Sequence, residues 1–227
     1  MAESPAATDV TRLVLIRHGE SQATVDGVVA GERGCTGLSD LGRRQAEALR
    51  DRLAATGELA ADVLVASTLP RAIETAELIA PALGVGEIVQ VHELCELQPG
   101  ECDAMTWEEY DQRYGVDMKA NPYTPIAPGG ESMAEFNVRV GTALAVLTEQ
   151  HAGRSVVVAC HGGVVVASMV SFLGLPAHRP LVVEMPVTNT SITEWERRAG
   201  AGAYVSPPWR LLRYNDAAHL AGVSRKP

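Results

Sequence analysis

The sequence predicts an α/β sandwich built around a largely parallel sheet. Four apolar runs are continuous rather than alternating, which is typical of strands buried on both faces; they span 12–16, 62–66, 87–91 and 155–159. Segments with helical periodicity separate these runs, and this alternation favours the α/β class. With 227 residues, of which 46% are hydrophobic, the chain can build one sizeable core. We therefore expect a single domain over residues 1–227.

The helices are predicted from apolar spacing and from capping signals. Segment 40–55 places Leu49 and Leu53 at helical intervals. Segment 69–83 repeats the pattern, and Pro70 is tolerated in its first turn. Two further helices begin at capping boxes, in which a Ser or Thr side chain and a Glu side chain satisfy the first turn: Thr106 with Glu109, and Ser132 with Glu135.

The most apolar stretch, residues 156–175, has the length of a membrane span. His161, Gly162 and Gly163 interrupt it, so we interpret it as a strand, a tight turn and a buried helix. Toward the C-terminus two short segments are predicted as edge strands or a hairpin: 188–194 and 208–214. Pro/Gly-rich loops are expected at 116–130 and 198–208.

Charge and composition exclude several classes of function. The formal net charge is −9, whereas general binding to nucleic acid or to a membrane surface requires a basic face. A small anionic substrate stays compatible with this charge, because a local basic pocket can outweigh the global field. The first ten residues lack a secretion signal, and the four cysteines show no Cys-x-x-Cys spacing. We expect a cytoplasmic protein with reduced thiols.

Polar side chains suited to catalysis follow the ends of all four predicted strands. In chain order they are Arg17 and His18, Arg71, Glu93 and Glu96, and His161. Ligands of open α/β sheets bind beyond the carboxyl ends of the strands, so we expect these side chains to converge on one site.

These residue types together indicate phosphoryl chemistry. Two guanidinium groups match phosphate oxygens with paired donors, and helix N-termini near Arg71 and His161 add backbone N–H groups. An imidazole can attack phosphorus, and neighbouring arginines keep it neutral by lowering its pKa. A nearby glutamate, Glu93 or Glu96, can protonate the leaving alcohol and later take a proton from water. This chemistry requires neither a metal ion nor another cofactor.

Several motifs carry a resemblance to a known family. The first is LVLIRHGES at 13–21, and the others follow in order: GLSDLGRRQAEAL at 37–49, ASTLPRAIETA at 66–76, PGGES at 128–132, VVVACHGG at 156–163, NTSIT at 189–193 and RLLRYNDAAHL at 210–220. Together they resemble the histidine phosphatase superfamily, also called the phosphoglycerate mutase-like family, over nearly the whole chain. The resemblance implies a three-layer α/β/α sandwich with a mixed, mostly parallel sheet.

The resemblance also implies roles for individual residues. His18 is the expected phosphorylated nucleophile, and Arg17, Arg71 and His161 are expected to form the phosphate pocket. The candidate substrate-binding residues are Ser21, Thr24 and Gly162. Thr24 stands where the family commonly has an asparagine that helps to bind phosphate, so it is a shorter donor with a different reach.

The catalytic acid of the family usually lies in a segment like Leu-x-Glu-x-x-x-Gly-Glu/Asp. The stretch LCELQPGE at 94–101 fits this pattern with Glu96, which we therefore choose over Glu93. The chain departs from the family just beyond it, with Cys102 where an aromatic residue is usual and Ala104 where glycine is common. We name residues 97–130 the lid segment, because they form the expected insertion over the site.

The lid segment decides between a phosphatase and a phosphoglycerate mutase. A mutase must hold a second anionic group, but between Leu97 and Pro128 only Arg113 and Lys119 are basic, against six acidic residues: Glu101, Asp103, Glu108, Glu109, Asp111 and Asp117. Such a lid favours a phosphatase.

The expected function is thus a metal-independent, acid-phosphatase-like phosphomonoesterase that acts through a phosphohistidine on a small phosphorylated metabolite. Phosphoryl transfer of the mutase type is one alternative. A catalytically weak phospho-ligand binding module, suggested by Thr24, is another. Since relatives in the family are often dimeric, a homodimer also stays open.

Overall fold

The computed structural model describes residues 10–118, 120–179, 183–198 and 208–224. In these residues six strands form one sheet: β1 (Val10–Arg17), β2 (Val63–Ala66), β3 (Ile88–Gln90), β4 (Ser155–Cys160), β5 (Ile192–Arg198) and β6 (Trp209–Asp216). Their order across the sheet is β3-β2-β4-β1-β5-β6. The first four in this order run parallel, whereas β5 and β6 are antiparallel to their neighbours. The predicted mixed, mostly parallel sheet is confirmed.

Helices cover both faces of this sheet, as the three-layer prediction requires. They are α1 (Gln22–Asp26), α2 (Asp40–Thr56), α3 (Pro70–Leu83), α4 (Trp107–Arg113), α5 (Met133–Gln150) and α6 (Gly162–Phe172). Alternate residues of β1 pack against the two helix layers. Leu13 and Leu15 pack with α5 and α6, while Val14 and Ile16 pack with α2 and α3. Because both faces are covered, the central strands are apolar throughout instead of alternating.

The capping signals predicted from the sequence are found at the starts of the helices. Both predicted capping boxes are present, at the first turns of α4 and α5. The short helix α1 was not predicted from the sequence; its N-cap is Ser21, whose hydroxyl accepts a hydrogen bond from the Thr24 N–H. The apolar stretch 156–175 divides at His161 into β4 and α6, as predicted. Among the described helices, none is both long and apolar enough to cross a membrane.

The C-terminal prediction needs one correction. The segment 188–194 is not extended throughout, because β5 begins only at Ile192. The preceding residues bond to the end of β1 instead: the Thr190 N–H donates to the Arg17 carbonyl over 2.9 Å. The other predicted segment, 208–214, lies almost wholly in β6, which pairs with β5 as a hairpin-like edge. The loop predicted at 198–208 falls almost entirely outside the described residues.

The lid segment has a small hydrophobic core of its own. This lid cluster consists of Val29, Cys102, Tyr110, Ile126 and Ala127. Backbone hydrogen bonds fasten the segment to the chain after α1: Val29 donates to Met105 and accepts from Ala104, over 2.8 and 2.9 Å. The lid segment is therefore anchored to the rest of the fold by this cluster and by these backbone bonds.

Asp103 ties the lid segment to residues 31–34. Its carboxylate accepts three backbone N–H groups, from Gly31, Arg33 and Gly34, over 2.8 to 3.0 Å. One of the acidic residues noted in the sequence thus acts structurally, since its charge is satisfied by backbone donors.

The next residue, Ala104, adopts a left-handed backbone conformation, with φ at +75°. A side chain makes this conformation costly, which accounts for glycine at this point in relatives. We expect Ala104→Gly to raise the free energy of unfolding by about 1 kcal/mol, measured by urea denaturation. The matched control is Ala145→Gly on the exposed face of α5, which should lower it by about 1 kcal/mol. If the free energy of unfolding of Ala104→Gly is unchanged or lower, the backbone at Ala104 is not strained by its side chain.

Candidate active site

The two histidines meet because β1 and β4 are parallel neighbours in register. Arg17, the last residue of β1, stands opposite Cys160, the last residue of β4. The next residues, His18 and His161, therefore emerge side by side, and the His18 N–H donates to the Cys160 carbonyl over 2.9 Å. Their ring centroids lie 5.1 Å apart. The strand-end argument thus brings the predicted pair together.

His18 is held in one tautomer, with one ring nitrogen left for chemistry. Its Nδ1 lies 2.6 Å from the Gly19 carbonyl, an acceptor, so Nδ1 carries the proton. The Nε2 atom is then the acceptor, and Arg71 Nε donates to it over 3.1 Å. Burial, followed by the charges of Arg71 and Arg17, holds the pKa of His18 well below its usual value. The imidazole is therefore neutral and nucleophilic at neutral pH.

Arg71 lies in the first turn of α3 and reaches both histidines. Besides its bond to His18, its Nε lies 3.3 Å from His161 Nδ1, and its Nη1 donates to the Ala30 carbonyl over 3.0 Å. The side chain is buried, in a first turn whose N-cap, Leu69, offers no side-chain hydrogen bond. This placement brings the guanidinium to His18, the residue that the sequence analysis expects to be the nucleophile.

His161 lies behind Arg71 with no exposed surface at all. Its Nε2 is 2.6 Å from the Ser67 hydroxyl, and its other ring nitrogen faces Arg71. Burial, then the neighbouring charge of Arg71, lowers the pKa of His161 well below its usual value. In this geometry His161 supports the guanidinium and stands next to the nucleophile, while its surface does not open on the cavity.

Arg17 provides the second guanidinium. Its Nη1 donates to the Val187 carbonyl, while its Nε is buried with no hydrogen-bond partner among the described residues. Burial is the main cause that lowers the pKa of Arg17; Glu96 raises it and Arg71 lowers it further. An unsatisfied buried donor is costly, and an anion in the cavity would satisfy it. Gly162, at the start of α6, lies beside this guanidinium: a Cβ there would be 3.6 Å from Nε.

Glu96 is fixed against the first turn of α6. Its carboxylate accepts the N–H of Gly163 over 2.9 Å and that of Leu97 over 3.1 Å. A Cβ on Gly163 would overlap the Glu96 carboxylate, so this second glycine of the His-Gly-Gly turn makes room for the acid. The helix N-terminus, expected to face phosphate, thus receives Glu96. By contrast, Glu93 is exposed and lines a different cavity, beside Arg139.

These side chains open on a cavity of about 310 Å³, a volume large enough for a phosphate together with a small organic group. Of the predicted residues, the cavity is lined by Arg17, His18, Ser21, Thr24, Arg71 and Glu96. The hydroxyls of Ser21 and Thr24 are 2.9 Å apart at its edge. Gly162 and His161 stand behind the lining, next to the two guanidinium groups.

Three supporting residues were not identified from the sequence. Ser67 orients His161, and Asn189 donates from its side chain to the His18 carbonyl over 2.9 Å. Arg139 on α5 binds the backbone around the acid: its Nη1 donates to the Glu93 carbonyl over 2.7 Å and its Nη2 to the Glu96 carbonyl over 3.3 Å. Ser67 and Asn189 lie inside the quoted motifs, so those motifs contained a signal for them; Arg139 lies outside.

Among the residues that the structure describes, no group of three or more His, Cys, Asp or Glu side chains is arranged to hold a metal ion. The groups that line the cavity are a neutral imidazole, two guanidinium groups and one carboxylate, which suit nucleophilic attack and charge stabilisation.

Known proteins share this sequence and this arrangement. A metal-independent phosphoserine phosphatase of Arabidopsis thaliana is 31% identical over 95% of this chain and 86% of its own length. A glucosyl-3-phosphoglycerate phosphatase of Mycolicibacterium vanbaalenii is 31% identical over 93% and 97%. Among solved structures, Bacillus stearothermophilus YhfR superposes with a TM-score of 0.77, at 28% identity over 92% of this chain and 99% of that one.

A family model matches most of the chain. Residues 13–208 match the model described as histidine phosphatase superfamily (branch 1), a range that begins within β1, ends just before β6 and includes every predicted site residue. The resemblance inferred from the motifs is thereby confirmed, and so is the assignment to the phosphatases. The chain belongs to branch 1 of the histidine phosphatase superfamily.

Proposed function

We propose that this chain is a metal-independent phosphomonoesterase that hydrolyses a small phosphorylated metabolite through a phosphohistidine at His18. One observation carries the proposal: His18 lines the cavity with Nδ1 fixed on the Gly19 carbonyl, so that its unprotonated Nε2 is the atom beside the guanidinium of Arg71, from which it accepts a hydrogen bond. A neutral imidazole in this position is a ready nucleophile for phosphorus. The names of the relatives support the same reaction class.

In the first step His18 Nε2 attacks phosphorus in line, and the bond from phosphorus to the leaving oxygen breaks. Glu96, in its protonated form, gives its proton to that oxygen, so the alcohol leaves neutral. In the second step Glu96 takes a proton from water, whose oxygen attacks the phosphohistidine. Inorganic phosphate leaves and His18 is regenerated. Arg17 and Arg71 stabilise the phosphoryl oxygens in both steps.

The proposal assigns the phosphate pocket to Arg17 and Arg71, with His161 orienting Arg71. Ser21 and Thr24 contact the substrate from the edge of the cavity, and Gly162 supplies the close approach beside Arg17. The acidic lid segment disfavours phosphoglycerate mutase activity. There, Arg113 lies near Glu101, with 3.7 Å between their charged atoms, and Lys119 falls outside the described residues.

The role of Glu96 is tested with two aryl phosphates that differ in their need for a general acid. In buffer containing EDTA, Glu96→Gln should lose about 100-fold in kcat/KM on phenyl phosphate but less than about 10-fold on 4-nitrophenyl phosphate, because kcat/KM reports the first step, in which the leaving oxygen takes the proton. The reason is that nitrophenolate leaves readily without a proton. Release of inorganic phosphate is the measurement.

The matched control is Glu93→Gln, the same change at the neighbouring carboxylate outside the cavity. It should leave both rates within about twofold of the unaltered enzyme, since Glu93 makes no contact with the cavity. Equal losses of Glu96→Gln on both esters would contradict the acid role. Loss of the unaltered enzyme's activity in EDTA, restored by a metal ion, would contradict the metal-independent mechanism.

The proposal also covers location and organisation. We place the enzyme in the cytoplasm and treat 1–227 as one domain. The four free, buried cysteines support the cytoplasmic placement. A homodimer stays a prediction, which sedimentation would test.

A further inference from the structure

We propose that the substrate's leaving group is an uncharged, mainly apolar alcohol or phenol, which packs against one wall of the cavity. This inference rests on the proposed phosphatase function and goes beyond it by naming the class of phosphate monoester. It is carried by three observations: where the positive charges lie, what the wall is made of, and where the negative charges lie.

Positive charge is confined to the phosphate end of the cavity. Of the described basic residues, only Arg17 and Arg71 line it, and both lie beside His18. Arg71 is already bonded through Nε to His18 and through Nη1 to the Ala30 carbonyl, which leaves its other N–H donors for a single phosphoryl group. Within the described residues the cavity lining therefore provides no further cation for a second anionic group.

The nearest other cations are already occupied. Arg33 lines the adjoining cavity, but its Nη2 donates to the Gly100 and Asp103 carbonyls, each over 3.2 Å. Arg139 lies in an ion pair with Glu131, with 2.6 Å between Nε and Oε1. Diverting either arginine to a substrate would break bonds that hold the lid segment or the Glu96 loop.

The wall beyond the phosphate is apolar and firmly backed. Its side chains are Val28, Val29, Leu97, Pro99, Trp107 and Ile126. Val29 and Ile126 belong to the lid cluster, and Leu97 packs against it, so the wall is the inner face of a hydrophobic core. Trp107 stands at the rim with 49% of its surface exposed. A rigid, apolar wall with an open indole favours an apolar group over a hydrated ion.

Negative charge lies where a charged leaving group would have to go. Glu96 lines the cavity, and the adjoining cavity that shares Glu96 also contains Glu32; the Asp103 carboxylate there is already bonded to backbone N–H groups and lies beside Arg33. A carboxylate on the leaving group would face the Glu96 carboxylate once Glu96 has given up its proton, with Glu32 beyond it. By contrast, phosphoserine and 3-phosphoglyceric acid, the ligands in two solved structures of an Entamoeba histolytica phosphatase, both carry a carboxylate.

The test compares three aryl phosphates: phenyl, 4-carbamoylphenyl and 4-carboxyphenyl phosphate. The carbamoyl and carboxylate esters have nearly the same size and shape, so their ratio reports the charge alone. We expect kcat/KM for the carbamoyl ester to exceed that for the carboxylate at least about 10-fold, with the phenyl ester close to the carbamoyl. A ratio below about 10-fold overturns the inference.

Two variants locate the effect. Trp107→Lys adds a cation at the rim and should lower the ratio of kcat/KM for the carbamoyl ester to that for the carboxylate ester at least about threefold. Val138→Lys adds the same charge on the exposed face of α5, away from the cavity, and should leave the ratio unchanged. A ratio that Trp107→Lys does not change would show that the leaving group does not lie against this wall, and the inference would fail.

A binding measurement separates this inference from the proposed function. Calorimetry of the same three esters with the His18→Asn protein compares their affinities without turnover. If the unaltered enzyme hydrolyses none of them, the phosphatase proposal fails, yet the affinity ratio still decides the preference for an uncharged group. If hydrolysis proceeds but the ratio is absent, only the inference on the leaving group fails.

Discussion

We expect His18→Asn to lower kcat for aryl phosphates by on the order of 10⁴-fold or more, because the attacking atom is gone. Asparagine keeps a polar group of similar size near the Gly19 carbonyl, so the pocket should stay folded. The unaltered enzyme, quenched in alkaline detergent during turnover of a radiolabelled ester, should carry the label on His18. The variant should carry none.

The matched control is His178→Asn, an exposed histidine stacked on Tyr123 away from the site. It should retain full turnover and labelling, which shows that losing a histidine is not harmful in itself. A His18→Asn protein that still releases phosphate at the normal rate would refute the mechanism. Tight binding of esters by the unaltered chain without turnover or label would instead identify a phospho-ligand binding module.

The second large effect concerns Arg71. We expect Arg71→Gln to lower kcat/KM by about 10³-fold, because a guanidinium on the transferred phosphoryl group is lost. The same change removes a positive charge that holds down the pKa of His18. Since only the neutral imidazole attacks, the pH at which activity falls off on the acid side should move upward in the variant.

A profile of kcat/KM between about pH 4.5 and 8 measures both effects at once. In the unaltered enzyme, protonation of His18 should not limit activity near the ordinary histidine value, since its folded pKa lies well below it. Arg43→Gln, at an exposed arginine of α2 paired with Glu74, is the control and should leave the profile unchanged. If the pH at which activity falls off on the acid side is the same in Arg71→Gln, the proposal that Arg71 holds down the pKa of His18 is contradicted.

The sheet and the phosphate residues could be predicted because both follow from strand ends. A continuous apolar run identifies a buried strand, and parallel neighbours bring their carboxyl ends to one edge. Arg17, His18 and His161 are therefore placed by register alone. Arg71 follows from the helix that begins just after β2.

The supporting contacts could not be predicted, since they join residues far apart in the chain. The quoted motifs include Ser67 and Asn189, but nothing local in them indicates that Ser67 orients His161 or that Asn189 holds the His18 carbonyl. The choice between Glu93 and Glu96 depended on the family pattern. In the structure Glu96 is the glutamate that lines the cavity. The backbone around it is fixed by the turn at His92–Leu94 and by hydrogen bonds from Arg139 to the Glu93 and Glu96 carbonyls.

Glycine illustrates the same limit. The pair after His161 indicates a tight turn, yet the second glycine is required by a carboxylate that comes from a different part of the chain. The sequence pattern identifies Gly163, but the structural reason for a glycine there is the Glu96 carboxylate that lies against it. Likewise Thr190, a β-branched residue, has φ at +56°. Backbone hydrogen bonds from its N–H to the end of β1 hold it in this conformation, which residue propensities do not predict.

The lid cluster gives the cavity a wall distinct from the sheet that carries its charged residues. His18 and both arginines rest on the sheet and its covering helices, while part of the apolar wall belongs to the small core around Tyr110. If that wall receives the released alcohol as proposed, substitutions in the small core change which alcohol fits without moving His18, Arg17 or Arg71. A lineage with this architecture would then acquire new metabolites one lid residue at a time, while its phosphohistidine chemistry is inherited unchanged.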